Sequence, residues 1–216
     1  MATIMMKQAG SAGHVADHLL VGGFDDAVTQ SQRVFRLALS AMSEPGTVHG
    51  VPNPPELKGL HPATYALCLT LLDSATPVWV SRLLDTPALR ANLSFHCASP
   101  FVSSREQAQF ALLSEADLHD VSGFDPGSDR DPDRSCTIIA QLPALSGGQP
   151  GVWRGPGVDG QRKVTLPVPK SLFLERKAGR AFPRGLDFIF TAGDSLLALP
   201  RSTRVICPIE EEASCM

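Results

Sequence analysis

The sequence predicts an α/β fold, a mixed sheet covered by helices. Three observations predict it. β-favouring runs and helix-patterned runs alternate through the first half of the chain. Near the end, Ala192-Gly193-Asp194-Ser195 reads as a hairpin turn between two apolar runs. The length of 216 residues, 43% hydrophobic and 19% charged, is enough for one domain with a sizeable core.

Up to Val21 the chain carries Gly, Ser, His and Met without periodicity, and residues 1–24 are expected to form a mobile arm. Residues 25–207 are expected to form the single domain, and 208–216 a tail. A helix over about 26–42 opens the domain. Phe35, Leu39 and Met42 recur at helical spacing and Val28 extends the row, so this face is expected to pack inward. Arg33 and Arg36 lie off the row and reach water. Asp25 or Asp26 caps the start. Pro45 disfavours helical geometry at Glu44 and Gly46 permits a turn, so the helix delivers Ser43 and Glu44 into a tight turn.

Thr47–Val51 reads as a short strand, and the stretch to Pro62 holds four prolines and is a loop. Ala63–Leu72 is apolar almost throughout and predicts a buried helix. Val78, Trp79 and Val80 predict a strand over Pro77–Ser81. Thr86 and Pro87 supply a cap and a first residue for a helix over Pro87–Asn92. Ser94–Cys97 reads as a strand, and Gln107–Leu113 as a strand or a helix, with a strand favoured after the Ser103-Ser104 turn. Ser114–Arg134 holds seven acids among Gly and Pro, the pattern of a solvated loop, and lacks the EF-hand spacing. A strand begins at Cys136, and Ser146-Gly147-Gly148 turns the chain. An extended segment over Gly151–Val158 carries Trp153 and Arg154. A helix over Leu172–Lys177 precedes the hairpin formed by Leu186–Thr191 and Leu196–Pro200.

Composition and motifs exclude several functions. A net charge of -3 argues against a nucleic-acid surface or a polybasic membrane contact. The five cysteines include no Cys-x-x-Cys pair, which fits a reducing compartment; with no signal-peptide pattern and no apolar span, the cytoplasm is expected. Gly155-x-Gly157-x-x-Gly160 matches the dinucleotide-binding string, but Pro167 and Pro169 break any helix at its exit, so these glycines are expected to serve turns. No P-loop, nucleophile elbow or zinc helix occurs, and the histidines show no ligand spacing, so no metal is expected. His96-Cys97, read on a strand, would point to opposite faces and pack. The arginine-rich C-terminal third (Arg176, Lys177, Arg180, Arg184, Arg201 and Arg204) is suited either to phosphate oxygens or to a basic partner-facing surface.

Several segments together resemble one family. They are FRLALSAMSEPG (Phe35–Gly46), LLDSATPVWVS (Leu71–Ser81), SFHCASPFVSSREQAQF (Ser94–Phe110), LSGG (Leu145–Gly148) with GPGV (Gly155–Val158), and FPRGLDFIFTAGDSLLALPRSTR (Phe182–Arg204). In this order they are similar to PhnH, a subunit of the bacterial carbon–phosphorus lyase core complex. The resemblance implies a three-layer α/β sandwich like the large domain of pyridoxal-phosphate-dependent transferases, without that cofactor. Lys7, Lys58, Lys163, Lys170 and Lys177 sit in no Schiff-base motif, in keeping with that loss. It further implies a homodimer that joins PhnG, PhnI and PhnJ. With PhnG, PhnI and PhnL, the family supports attack of a phosphonate on the anomeric carbon of MgATP, releasing adenine and forming a ribose 1-phosphonate 5-triphosphate.

The resemblance carries over no catalytic residue, and the residues offer only candidates. Arg184 and Arg201 could hold phosphate oxygens, and Ser146, Gly147 and Gly148 could add hydroxyl and backbone donors. Glu44 could act as acid or base, or orient an arginine. Three readings stand open at this stage: a subunit that contributes to binding or chemistry, a non-catalytic scaffold of the complex, and an independent module for a phosphorylated ligand.

Overall fold

The structure, a computed structural model, describes residues 17–178 and 182–207. Helix α1 (Ala27–Ser43) starts where Asp26 accepts the Thr29 N–H at 3.0 Å. That backbone donation holds the Asp26 carboxyl below its ordinary value. The buried row of α1 is Val34, Ala38 and Ala41, not the predicted one. Val28, Phe35 and Leu39 are 79%, 45% and 52% exposed, and only Met42 packs partly on the core. Each buried residue precedes a member of the predicted row by one position, a rotation of about 100°. The small side chains of Ala38 and Ala41 let α1 approach its neighbours closely, and the larger ones are left outside.

After α1, strand β1 (Val48–Gly50) leads by way of the proline-rich loop to α2 (Pro62–Leu71), and β2 (Val78–Val80) to α3 (Pro87–His96). In α2 every residue from Ala63 to Cys68 is buried, which explains its unbroken apolar pattern. Thr86 caps α3 by accepting the Leu89 N–H at 3.1 Å, with Pro87 in the first turn. The helix runs four residues past Asn92, so the strand expected at Ser94–Cys97 is its last turn. Nothing between Asn92 and Cys97 breaks a helix, and the chain turns only at Ala98, whose φ is 53°. Cys97 is buried and His96 Nε2 donates to the Val21 carbonyl, 3.0 Å away, so this pair packs on a helix end. Of the expected N-terminal arm, residues 1–16 lie outside the described residues; the rest runs beside α3, where Asn92 accepts the Val21 N–H and donates to the Leu19 carbonyl.

Strands β3 (Phe110–Ser114) and β4 (Thr137–Gln141) are followed by β5 (Gln149–Arg154), β6 (Arg162–Leu166), α4 (Lys170–Ala178), β7 (Asp187–Ala192), β8 (Ser195–Leu199) and β9 (Arg204–Ile206). The six-stranded mixed sheet has the order β1-β8-β7-β4-β3-β2; β2, β3, β4 and β7 are parallel, and β8 is antiparallel to both β1 and β7. A second, antiparallel sheet has the order β6-β5-β9. The residues expected to begin a strand at Gln107 instead make a 3-10 turn over Arg105–Gln107.

The period-two alternation of β7 shows how the sheet divides its side chains. Ile189 faces a core shared with α1, α2 and α3; Phe188 and Phe190 face a second core holding Trp153, Val164, Leu172 and Leu118. Each fully buried side chain of this size contributes roughly 1.5–3 kcal/mol. A polar seam pins α2 to the sheet. Gln141 accepts the His61 N–H at 2.5 Å, and the Thr64 and Thr191 hydroxyls meet at 2.7 Å. The Gly193 carbonyl in the β7–β8 turn takes the Ala63 N–H at 3.0 Å, satisfying an otherwise orphaned donor of α2.

Candidate functional site

Glu44 ends α1, and its backbone is the part in use. The Glu44 carbonyl accepts from Thr47 Oγ1 at 2.7 Å and from Arg162 Nη1 at 3.2 Å, and Arg162 also donates to the Pro45 carbonyl at 2.5 Å. The Glu44 side chain is exposed. The Ser43–Gly46 turn is a docking point. A Cβ on Gly157, in the β5–β6 hairpin, would lie 1.7 Å from the Ser43 carbonyl oxygen, and one on Gly46 would lie 2.8 Å from Val164. The Gly-x-Gly-x-x-Gly string therefore crosses from β5 to β6 and serves close backbone contact, as its exit prolines predict.

Ser146, Gly147 and Gly148 form an exposed turn with φ of 82° and 75° at the two glycines. The Gly147 N–H is taken by Thr165 Oγ1 at 3.1 Å, and a Cβ on Gly148 would sit 2.6 Å from Pro167 Cα. Gly148 borders a groove of about 580 Å³ with Glu115, His119 and Gln149. This groove lies beyond the carboxyl end of β3, where open parallel sheets commonly receive ligands.

The arginines of the C-terminal third separate by role. Arg176 is a clamp: it donates to the carbonyls of Leu186 and Pro200 at 2.9 and 2.8 Å and lies 5.3 Å over the Phe188 ring. Arg184 pairs with Asp129 of the acidic loop at 3.3 Å, both side chains well exposed. Arg180 lies outside the described residues. Arg201 ties the end of β8 to the same loop through the Pro132 carbonyl and the Ser135 hydroxyl, while its backbone N–H donates to Asp187 at 2.6 Å. Arg201 also lines a cleft of about 470 Å³ together with Arg154, Arg204, Gly155, Ser202 and Phe182. Arg154 and Arg204 are direct partners across β5 and β9 and both are exposed.

Three carboxylates of the acidic loop shape the loop itself. Asp117 caps Ser114, Asp125 accepts the Gly127 N–H, and Asp120 accepts both donors of Ser122. The Ser122 side-chain bond, with help from Arg105, holds the Asp120 carboxyl below its ordinary value. Arg105 lies 5.2 Å from the Trp79 ring and 5.1 Å from that of Phe124 while pairing with Asp120 at 3.1 Å. Among the described residues, no group of three or more His, Cys, Asp or Glu is placed to hold a metal, and no helix is long and apolar enough to cross a membrane.

With this geometry in hand, comparison with known proteins decides the family. The family described as bacterial phosphonate metabolism protein (PhnH) matches residues 22–206. The chain belongs to the PhnH family. It is 35% identical over 195 residues to the Rhizobium meliloti (strain 1021) protein named alpha-D-ribose 1-methylphosphonate 5-triphosphate synthase subunit PhnH, covering 85% of this chain and 94% of that one. It is also 26% identical over 180 residues to HtxG of Stutzerimonas stutzeri, whose name links it to C-P lyase, covering 82% and 86% of the two chains.

In this PhnH chain the candidates read from sequence are spread over four places. Glu44 is at the hairpin dock, Gly148 at the groove, Arg184 paired against the acidic loop and Arg201 in the cleft. Arg154 and Arg204 are the cationic residues that sequence reasoning did not select as site residues. The three-residue strand β9 that sets them side by side is too short to leave a periodic signal.

Proposed function

We propose that this chain is the PhnH subunit of a ribose 1-methylphosphonate 5-triphosphate synthase in C–P lyase phosphonate metabolism. The observation that carries this reading is 35% identity across 94% of the length of a subunit so named. The assembly's reaction, in this reading, displaces adenine from MgATP by a phosphonate at the anomeric carbon. PhnG, PhnI, PhnJ and PhnL are the partners, the chain pairs with a second copy, and the assembly works in the cytoplasm. MgATP enters as substrate of the assembly, and pyridoxal phosphate has no part. Three lysines support that last point: Lys58, Lys163 and Lys170 are exposed, whereas an aldimine-forming lysine sits in an enclosed site. Two cores on either side of one sheet support the three-layer sandwich of a transferase large domain.

A scaffold role within that assembly is favoured by one observation. Val28, Phe35 and Leu39 form an exposed apolar row along α1, the kind of surface that subunits cover on association. Co-expression with PhnG, PhnI and PhnJ, followed by an assay for adenine release from MgATP and a phosphonate with PhnL added, tests the proposal. The chain is expected to co-purify and adenine release to depend on it. An assembly that forms and turns over without this chain would overturn the reading.

A further inference from the structure

The cleft between the small sheet and the turn after β8 has features that a merely solvated surface does not need. Arg154 and Arg204 face each other as direct cross-strand partners. Opposed residues in an antiparallel pair have their Cβ atoms about 5 Å apart, and like charges so placed repel. Among the described residues neither has a carboxylate within ion-pair distance, and the one hydrogen-bond partner of the Arg154 side chain is neutral, Gln161 Oε1 at 2.7 Å. Arg201 adds a third guanidinium, whose Nε lies 3.8 Å from the Asp187 carboxylate. Its Nη1 is committed to the protein, which fixes the group in place, and among the described residues no hydrogen bond engages its Nη2. Lys163, opposite Val152, shares the outward face of this sheet with Arg154 and is exposed.

The floor of the cleft is built for close approach. Gly155 has φ of 143°, and a Cβ there would lie 3.0 Å from the Ser202 carbonyl oxygen. A side chain at this position would therefore push apart the two segments that bring Arg154, Arg201 and Arg204 together.

We infer that this cleft binds a linear oligophosphate, the chemistry shared by the tail of a nucleoside triphosphate and by a sugar 5-triphosphate. Three guanidinium groups around about 470 Å³ match the length and charge of two or three linked phosphates. Guanidinium forks hold such oxygens in bidentate fashion, and an anion between Arg154 and Arg204 turns their repulsion into shared attraction. A chain of linked phosphates offers these guanidiniums more oxygens and more charge than a single phosphate does. The ligand class rests on the subunit reading above, whereas the site rests on the geometry.

The test is calorimetric titration of the full chain, at fixed ionic strength, with inorganic triphosphate, ATP and AMP. Native protein is expected to bind triphosphate and ATP, with AMP at least about tenfold weaker. The double variant Arg154→Ala/Arg204→Ala is expected to lose roughly tenfold or more in affinity for each charged contact removed. Arg33→Ala, an exposed arginine on α1, is the control and is expected to bind like the native chain. Without ligand, the double variant is expected to melt at the same or a higher temperature, because a like-charge contact has gone. Equal binding by native and double variant, equal affinity for AMP and triphosphate, or no binding by the native chain would each overturn the inference. If the native chain ignores triphosphate while the double variant no longer co-purifies with its partners, the cleft receives an acidic protein segment instead, which also overturns it. Triphosphate binding by a chain that does not co-purify would sink the subunit reading and leave the cleft standing.

Discussion

Tyr65 shows what burial alone does to one side chain. It has no solvent exposure, and its hydroxyl has no hydrogen-bond partner among the described residues. Burial, with the Cys97 and Cys68 thiols close by, pushes the hydroxyl up to about 12. A group raised in the folded state contributes stability that is complete below its unfolded value, about 10, and is lost as pH rises toward 12. Tyr65→Phe removes both the unpaired oxygen and this loss. The variant is expected to gain about 1 kcal/mol at neutral pH by urea titration and to flatten the alkaline decline. A loss of stability instead would show that the hydroxyl is partnered. Sequence pattern placed Tyr65 on a buried helix, but nothing in that pattern reports whether a particular oxygen is satisfied.

Turns, more than helices or strands, hold the elements of this chain to one another. Gly157 sets the β5–β6 hairpin against the end of α1 at a distance no side chain tolerates, with φ of 76°. Gly157→Ala is expected to cost about 2–4 kcal/mol, combining a disfavoured backbone conformation with displacement of the dock. Thermal melting of the variant reads this, and a change under about 0.5 kcal/mol would mean that the hairpin does not seat on α1. The Phe35–Leu39 row makes the opposite case. Because both side chains are about half exposed, Phe35→Ala with Leu39→Ala is expected to leave the melting temperature of the chain alone nearly unchanged, whereas Val34→Ala lowers it measurably. Helix spacing was legible in the sequence, but which apolar face turns inward was not. Periodicity reports that faces differ, while close packing selected the row with the smaller side chains.

At the scale of the whole molecule, one sheet separates two cores, and strands β2, β3, β4, β7 and β8 contribute to both by alternation. Trp79 and Trp153 belong to the core on the small-sheet side, while helices α1, α2 and α3 cover the other. Fluorescence therefore reports the small-sheet face, whereas the helical far-UV circular dichroism is dominated by α1, α2 and α3 on the other. The two denaturant transitions are expected to coincide, because neither core survives loss of the shared strands. A fluorescence transition preceding the helical one would show that the small-sheet side unfolds by itself.

By itself the sequence determined the α/β class, the mixed sheet, most element positions, an aspartate cap at residue 25 or 26, the Thr86 cap, the Gly193 turn, the turn role of the Gly155–Gly160 string and the PhnH family. Those features rest on local signals: periodicity, capping residues, turn chemistry and ordered segments of resemblance. Only the tertiary structure decided that Ser94–Cys97 is helical, that Val34, Ala38 and Ala41 face inward, that Arg176 and Arg201 are committed to carbonyl groups, and that Arg154 and Arg204 stand opposed. These depend on contacts between residues far apart in the chain. Arg154 and Arg204 are brought together by the pairing of β5 with β9, and that proximity has no counterpart in the order of the residues.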